Sequence, residues 1–247
     1  MNKDLYYTLA IKLDLFSLLQ FSITNRRINR ICNQVWKYRL NSEFSDYKSL
    51  NLNKSFKEIY IILHQITILK DKTKREENVY TLYNTEGMYF CFNLSKIPKE
   101  IRQLKNLKHL TVCHNNLTNM ENICNLFNLE ILNLYGNKIT HVSKEIENLS
   151  KLRYLYVSGN QLTEIPEEIG KLSKLEHLYL SNNRIKKLPK EIGQLSNLEE
   201  LTLQSNLLKE LPKEIGQLKN LQVLSLSSNT LVPKEIDLSK EVYLYCL

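Results

Sequence analysis

From Leu107 onward, apolar residues return in a fixed frame. A leucine, isoleucine or valine stands at the first, fourth and sixth positions of a short segment, an asparagine follows, and Leu or Ile comes two residues later. An IP or LP pair, an isoleucine and a final leucine complete the unit before it restarts. The copies begin at Leu107, Leu129, Leu152, Leu175, Leu198 and Leu221, close to a 23-residue period. Such a period predicts stacked coils that share one continuous core. Within each copy the LxxLxL piece predicts a short strand, with leucines pointing inward and the intervening residues outward. Pro166, Pro189 and Pro212 precede Glu-rich turns that close on Gly170, Gly193 and Gly216. Proline at the start and glycine at the end predict a very short helical or 3-10 turn on the opposite, convex side.

The pattern changes upstream. Leu5, Leu9, Leu13, Leu15, Leu18 and Leu19 recur at helical spacing, and Ile23, Ile28, Ile31, Val35 and Trp36 continue the stripe. Ser55 to Leu69 reads as a further helix, followed by a charged run, Lys70 to Glu77, that reads as a solvated loop. VYTLY and MYFCF, within Val79–Asn93, are aromatic and strand-like, with Asn84 to Gly87 as a turn between them. That segment is expected to be a hairpin, or a first irregular strand, capping the array. After Leu231 the usual spacer is missing, and EVYLYCL is expected to form a closing strand. The division expected is 1–45 small helical domain, 46–78 helical linker, 79–106 cap or irregular first repeat, and 107–247 repeats with a C-terminal cap. The fold class is α/β.

The asparagine column is Asn115, Asn137, Asn160, Asn183, Asn206 and Asn229. Inside stacked coils each amide is expected to bond the backbone of its own turn and of the next coil, since a buried amide is tolerated only when satisfied. Three outward columns can be written down. The first reads His109, Ile131, Tyr154, His177, Glu200, Val223. The second reads Thr111, Asn133, Tyr156, Tyr179, Thr202, Ser225, and the third Cys113, Tyr135, Ser158, Ser181, Gln204, Ser227. Tyr135, Tyr154, Tyr156, His177 and Tyr179 thus cluster on adjacent strands, as binding anchors do. The rival reading is lateral packing of tyrosines within a sheet.

Composition removes several function classes. The net charge of +8 is uneven: residues 1–78 hold 14 Lys+Arg against 8 Asp+Glu, so the array is nearly neutral. Arg26, Arg27 and Arg30 form a basic cluster without interleaved aromatics and read as a solvated face, so nucleic acid is not expected as a partner. The longest apolar candidate, Ile59 to Leu63, is far short of the roughly 18 residues that span a membrane, and the opening residues lack a signal-peptide core. The five cysteines are scattered and odd in number, which fits free thiols in a reducing compartment. His109, Cys113, His114 and Cys124 do not complete a four-ligand set, so no metal is expected. All six glycines are isolated, no phosphate loop or nucleophile elbow occurs, and neither catalysis nor a cofactor is expected.

The array resembles the leucine-rich-repeat family in its 23-residue intracellular form, over about two thirds of the chain. That resemblance implies a curved solenoid, a horseshoe with a parallel sheet on its concave face, used mainly to recognise proteins. Residues Leu9 to Leu40 resemble an F-box, particularly the divergent F-box-like domains of giant DNA virus proteins. Leu13-Asp14, Leu18-Leu19, Cys32 and Trp36 take the landmark places, while the usual opening Leu-Pro is absent and Leu5-Tyr6 stands near it. The pairing implies a non-catalytic adaptor, the substrate receptor of a cullin-type (SCF) ubiquitin ligase. A Skp1-like adaptor would dock on Leu5, Leu9, Leu13, Asp14, Leu15, Leu18 and Leu19, and the concave face would hold the target protein. A monomer in the cytoplasm is implied, the host's cytoplasm if the chain is viral. The alternative is a leucine-rich-repeat scaffold or enzyme regulator with no ubiquitin link.

Overall fold

The computed structural model describes residues 26–50, 54–73, 77, 79–90, 94–229 and 243–245. The chain divides into two compact units, residues 1–83 and 84–247. The division thus falls after Tyr83 rather than at residue 78.

In the first unit, helix α1 (Arg26–Glu43) packs against helix α2 (Phe56–Thr73). Val35, Trp36 and Leu40 of α1 and Tyr60, Leu63 and Ile66 of α2 are all buried. The Tyr60 ring lies 5.2 Å from Trp36 and 5.7 Å from Phe44, and its hydroxyl donates to Glu43 at 2.7 Å. Burial and that carboxylate push the Tyr60 phenol up to about 12. Helix α2 starts with a capping box: the Ser55 hydroxyl accepts from the Glu58 N–H, and the Glu58 carboxylate accepts from the Ser55 N–H. The charged run expected to be a loop begins inside this helix, which continues to Thr73. Its last-turn lysines suit the negative end of the helix dipole, and the buried Thr73 hydroxyl donates back to Leu69.

Of the two forms expected for this segment, a hairpin or a first irregular strand, the second is found. Residues Val79–Asn84 form a short helix, α3, in which the neighbouring Leu82 and Tyr83 are both buried. A strand would send those two to opposite faces. Strand β1 (Gly87–Tyr89), at the start of the second aromatic run, opens the sheet and buries Met88.

The second unit carries one eight-stranded parallel sheet in chain order: β1, β2 (His109–Thr111), β3 (Ile131–Asn133), β4 (Tyr154–Tyr156), β5 (His177–Tyr179), β6 (Glu200–Thr202), β7 (Val223–Ser225) and β8 (Tyr243–Tyr245). Each strand pairs with the equivalent residues one repeat on, so Leu110, Leu132, Leu155, Leu178, Leu201 and Leu224 form an inner row. Leu152, Leu155, Val157, Leu162, Ile165, Ile169 and Leu172 show how one coil fills itself; all are buried. No coil can do this alone, because each inner row is closed by its neighbours.

The asparagines are satisfied as the pattern requires but in the opposite direction. Asn183 donates to Leu180 in its own coil and to Val157 in the preceding one, both at 3.0 Å, and accepts from Leu162 N–H of the preceding coil at 3.0 Å. Asn115, Asn137, Asn160, Asn206 and Asn229 repeat the arrangement. The bond to the next coil does not form; every amide reaches back.

The convex turns are 3-10, at Lys99–Gln103, Lys144–Asn148, Glu167–Lys171, Lys190–Gln194 and Lys213–Gln217. Their glycines lie inside the turn rather than ending it. A Cβ on Gly193 would sit 2.5 Å from the carbonyl oxygen of Glu214, so the missing side chain lets successive turns approach. The left-handed backbone lies elsewhere, just before each ladder asparagine. His114, Gly136, Gly159, Asn182, Ser205 and Ser228 all have positive φ there, between 52° and 69°. The coil after Leu117 lacks the proline, and Met120, Ile123, Cys124 and Leu126 fill its convex side instead.

Candidate interaction face

Parallel pairing without slippage turns the outward positions into straight columns. Ile131 is opposite Tyr154, Tyr154 opposite His177, and His177 opposite Glu200. Beside them Asn133, Tyr156, Tyr179, Thr202 and Ser225 are in line. Strands in a sheet are about 4.8 Å apart, a little more than the thickness of a ring. Aromatics one repeat apart therefore stack. The Tyr154 and His177 rings lie 4.6 Å apart and 7° from parallel, and the Tyr156 and Tyr179 rings 4.6 Å apart and 6° from parallel. His177 and Tyr179 share a strand and lie side by side at 6.1 Å. The result is two layers of two rings, each ring half-buried.

Glu200 locks the second layer. Its Oε2 accepts the Tyr179 hydroxyl at 2.8 Å and lies 3.3 Å from His177 Nδ1. Burial, the hydrogen bond to Glu200 and its charge hold the Tyr179 phenol far above its ordinary value. Burial, Tyr154 and Glu200 raise Tyr156 as well. The first layer is edged by Arg153, whose guanidinium lies 5.5 Å from the Tyr154 ring centre and donates through two nitrogens to Glu176, at 2.8 and 2.7 Å.

Of the five residues singled out in the sequence, Tyr154, Tyr156, His177 and Tyr179 come together in this cluster. Tyr135 stands apart beyond the end of β3. Its ring meets His114 edge-on at 5.0 Å and is 43% exposed. Lateral packing and exposure coexist: the rings stack on one another and each stays half-buried. Glu200 is the member that sequence reasoning did not select. The signal was present in its column, one repeat after His177, but a lone carboxylate among polar residues did not mark itself. The leucines Leu5, Leu9, Leu13, Leu15, Leu18 and Leu19, with Asp14, lie outside the described residues.

Other candidate chemistry is sparse. Among the described residues no three His, Cys, Asp or Glu side chains gather as metal ligands would. Burial pushes the Cys124 thiol up to about 12, so it stays protonated at neutral pH and is no nucleophile. No described helix is long and apolar enough to cross a membrane.

A model for a leucine-rich repeat region matches residues 109–184 and 167–240, which together exceed half of the chain. The chain belongs to the leucine-rich repeat family. Among solved structures, a leucine-rich repeat protein of Leptospira interrogans is 38% identical, with 67% of this chain and 50% of that one covered and a TM-score of 0.54. An internalin of Listeria monocytogenes is 27% identical over 64% of this chain and 44% of its own, also at 0.54. A plant peptide hormone receptor in complex with RGF2 is 36% identical over 61% of this chain and 26% of its own, at 0.55. The chain thus spans half or less of the length of these leucine-rich repeat relatives. No curated protein matches. The leucine-rich repeat solenoid is the fold of a protein-interaction scaffold.

Proposed function

We propose that the chain is a non-catalytic protein-binding adaptor that holds its target on the strand face from β3 to β6. The observation that carries this reading is the double layer of half-buried rings, Tyr154 and Tyr156 on His177 and Tyr179. Rings fixed by stacking lose little freedom when a partner covers them, which is what makes tyrosines effective anchors. Apart from Ile131 and Tyr135, the rest of that face is polar, so the rings supply most of its apolar area. The similar plant protein is a peptide hormone receptor, and a polypeptide target is in keeping with that likeness. The adaptor acts by proximity, raising the effective concentration of its target beside a second partner. The test is capture of binding proteins by the full chain and by a Tyr156→Ala, Tyr179→Ala variant. Loss of capture in a variant that still melts cooperatively supports the reading; undiminished capture places the site elsewhere.

A finer form of the same reading makes the second partner a Skp1-like adaptor and the chain a substrate receptor of an SCF-type ubiquitin ligase. It rests on the F-box resemblance of residues 9–40 and on Trp36, which is wholly buried against Tyr60, as a residue closing a small helical domain would be. A pull-down of the full chain on Skp1, with Leu13→Asp, Leu18→Asp as control, decides it. Failure to bind leaves the scaffold without the ubiquitin link.

A further inference from the structure

Two side chains on the strand face are held by one end only. Asn133 Oδ1 accepts the Tyr135 N–H at 3.0 Å, and Gln204 Oε1 accepts the Ser181 hydroxyl. A side-chain amide has a carbonyl oxygen that accepts and an NH2 that donates. The ladder asparagines use both ends: Asn183 accepts from Leu162 and donates to Leu180 and Val157. Nothing among the described residues accepts from Asn133 Nδ2 or Gln204 Nε2. The buried side-chain atoms without a partner, among the described residues, are Trp36 Nε1, Glu168 Oε2 and Ser225 Oγ, so both amide nitrogens reach solvent. The internal bonds decide how each amide turns, with its oxygen toward the protein and its NH2 toward solvent.

The two amides bracket the rings. Asn133 is on β3, in line with Tyr156 and Tyr179, and Gln204 follows β6, in line with Tyr135, Ser158 and Ser181. Three strand spacings of about 4.8 Å and a two-residue offset put them about 16 Å apart, which roughly five extended residues span. A line between them leaves Tyr156 and Tyr179 on one side and Ser158 and Ser181 on the other. The three outward columns from β2 to β7 contain no lysine or arginine, and Glu200 adds a negative charge beside Tyr179. A carboxylate or phosphate of a partner is therefore disfavoured here, whereas a neutral acceptor suits the two amides. The neutral acceptor that a polypeptide carries at every residue is its main-chain carbonyl. We propose that Asn133 Nδ2 and Gln204 Nε2 donate to main-chain carbonyls of an extended target segment that crosses strands β3 to β6 beside the rings. This deepens the adaptor reading and rests on it: the rings supply apolar contact, and the amides set the register of the segment on the face.

The test is selection of a random-peptide phage library on the full chain, followed by fluorescence polarisation with the selected peptides. Asn133→Asp and Gln204→Glu keep the inward oxygen and remove the NH2, so their melting curves should stay close to that of the unaltered chain. Each should weaken binding about tenfold or more, because a covered carbonyl of the peptide loses its donor and faces a carboxylate. The peptides are then remade with one main-chain carbonyl oxygen at a time replaced by sulfur, a weaker acceptor. At two positions roughly five residues apart, that change should weaken binding to the unaltered chain about threefold and leave binding to the matching variant unchanged. Peptides that bind either variant undiminished, or that have no carbonyl coupled to either variant, would overturn the inference. So would a selection that retains no peptide. The docking reading is judged separately by Tyr156→Ala, Tyr179→Ala. Peptides that lose binding to that variant but ignore Asn133→Asp and Gln204→Glu leave the docking face standing and remove only the carbonyl contacts, whereas peptides indifferent to all these changes remove the two readings together.

Discussion

Strands β4 and β5 and strands β6 and β7 share one scaffold and present different surfaces. Behind both pairs lie the same leucine row, the same asparagine bonds and the same 3-10 turns. In front, the first pair carries three tyrosines and a histidine, and the second carries Glu200, Thr202, Val223 and Ser225. The inward positions are thus held constant, and the two pairs differ at the outward ones. A solenoid can change its partner without changing its core, because alternation along the strand separates the two sets of residues.

The separation can be broken most forcefully from within. Leu178→Ala and Leu201→Ala should each cost about 2–5 kcal/mol in urea denaturation, and by similar amounts. A large gap between them would show that the two halves of the face do not share one scaffold. Asn183→Ala and Asn206→Ala come next. Each strips a buried N–H and two carbonyls of their partner, a loss of about 3 kcal/mol readable by thermal melting. Gly193→Ala should cost about 2 kcal/mol in the same assay, since the added methyl would meet the Glu214 backbone at 2.5 Å. Ser205→Gly should stabilise by up to about 1 kcal/mol, because it relieves a left-handed φ of 53°. The smallest effect concerns pH. The Tyr156 and Tyr179 phenols hold their protons above the ordinary tyrosine value. Above about pH 10 the unfolded chain has lost those protons while the folded chain keeps them, so stability falls as pH rises through that window. Alkaline denaturation of Glu200→Gln should show a somewhat shallower fall, since burial still raises both phenols but the contribution of the carboxylate is gone.

Much of this was legible in the chain because each repeat tests the reading of its neighbours. Tyr154 and His177 could be set side by side from spacing alone, since a one-residue slip would have turned every leucine outward. Spacing does not encode direction, and for that reason it leaves open that the Asn183 amide turns to the preceding coil and not to the next. Nor does it encode approach. Gly193 looks like a turn-closing glycine until the next turn is seen against it. VYTLY misled for a different reason: tyrosine and valine favour strands only where a sheet accepts them, and Leu82 and Tyr83 are buried within helix α3 instead. Glu200 was visible but unremarkable, because its importance lies in the hydroxyl and imidazole that reach it from the preceding strand.

The backward reach of the asparagines gives the array an arrow in time. A coil emerging from the ribosome carries an amide whose partners, Val157 and Leu162 in the case of Asn183, have already been synthesised. None of the ladder amides has to wait for residues still to be made. The hydrated growing end holds the open backbone groups, and each new coil closes them on arrival. The ladder bonds are thus compatible with assembly in the order of translation.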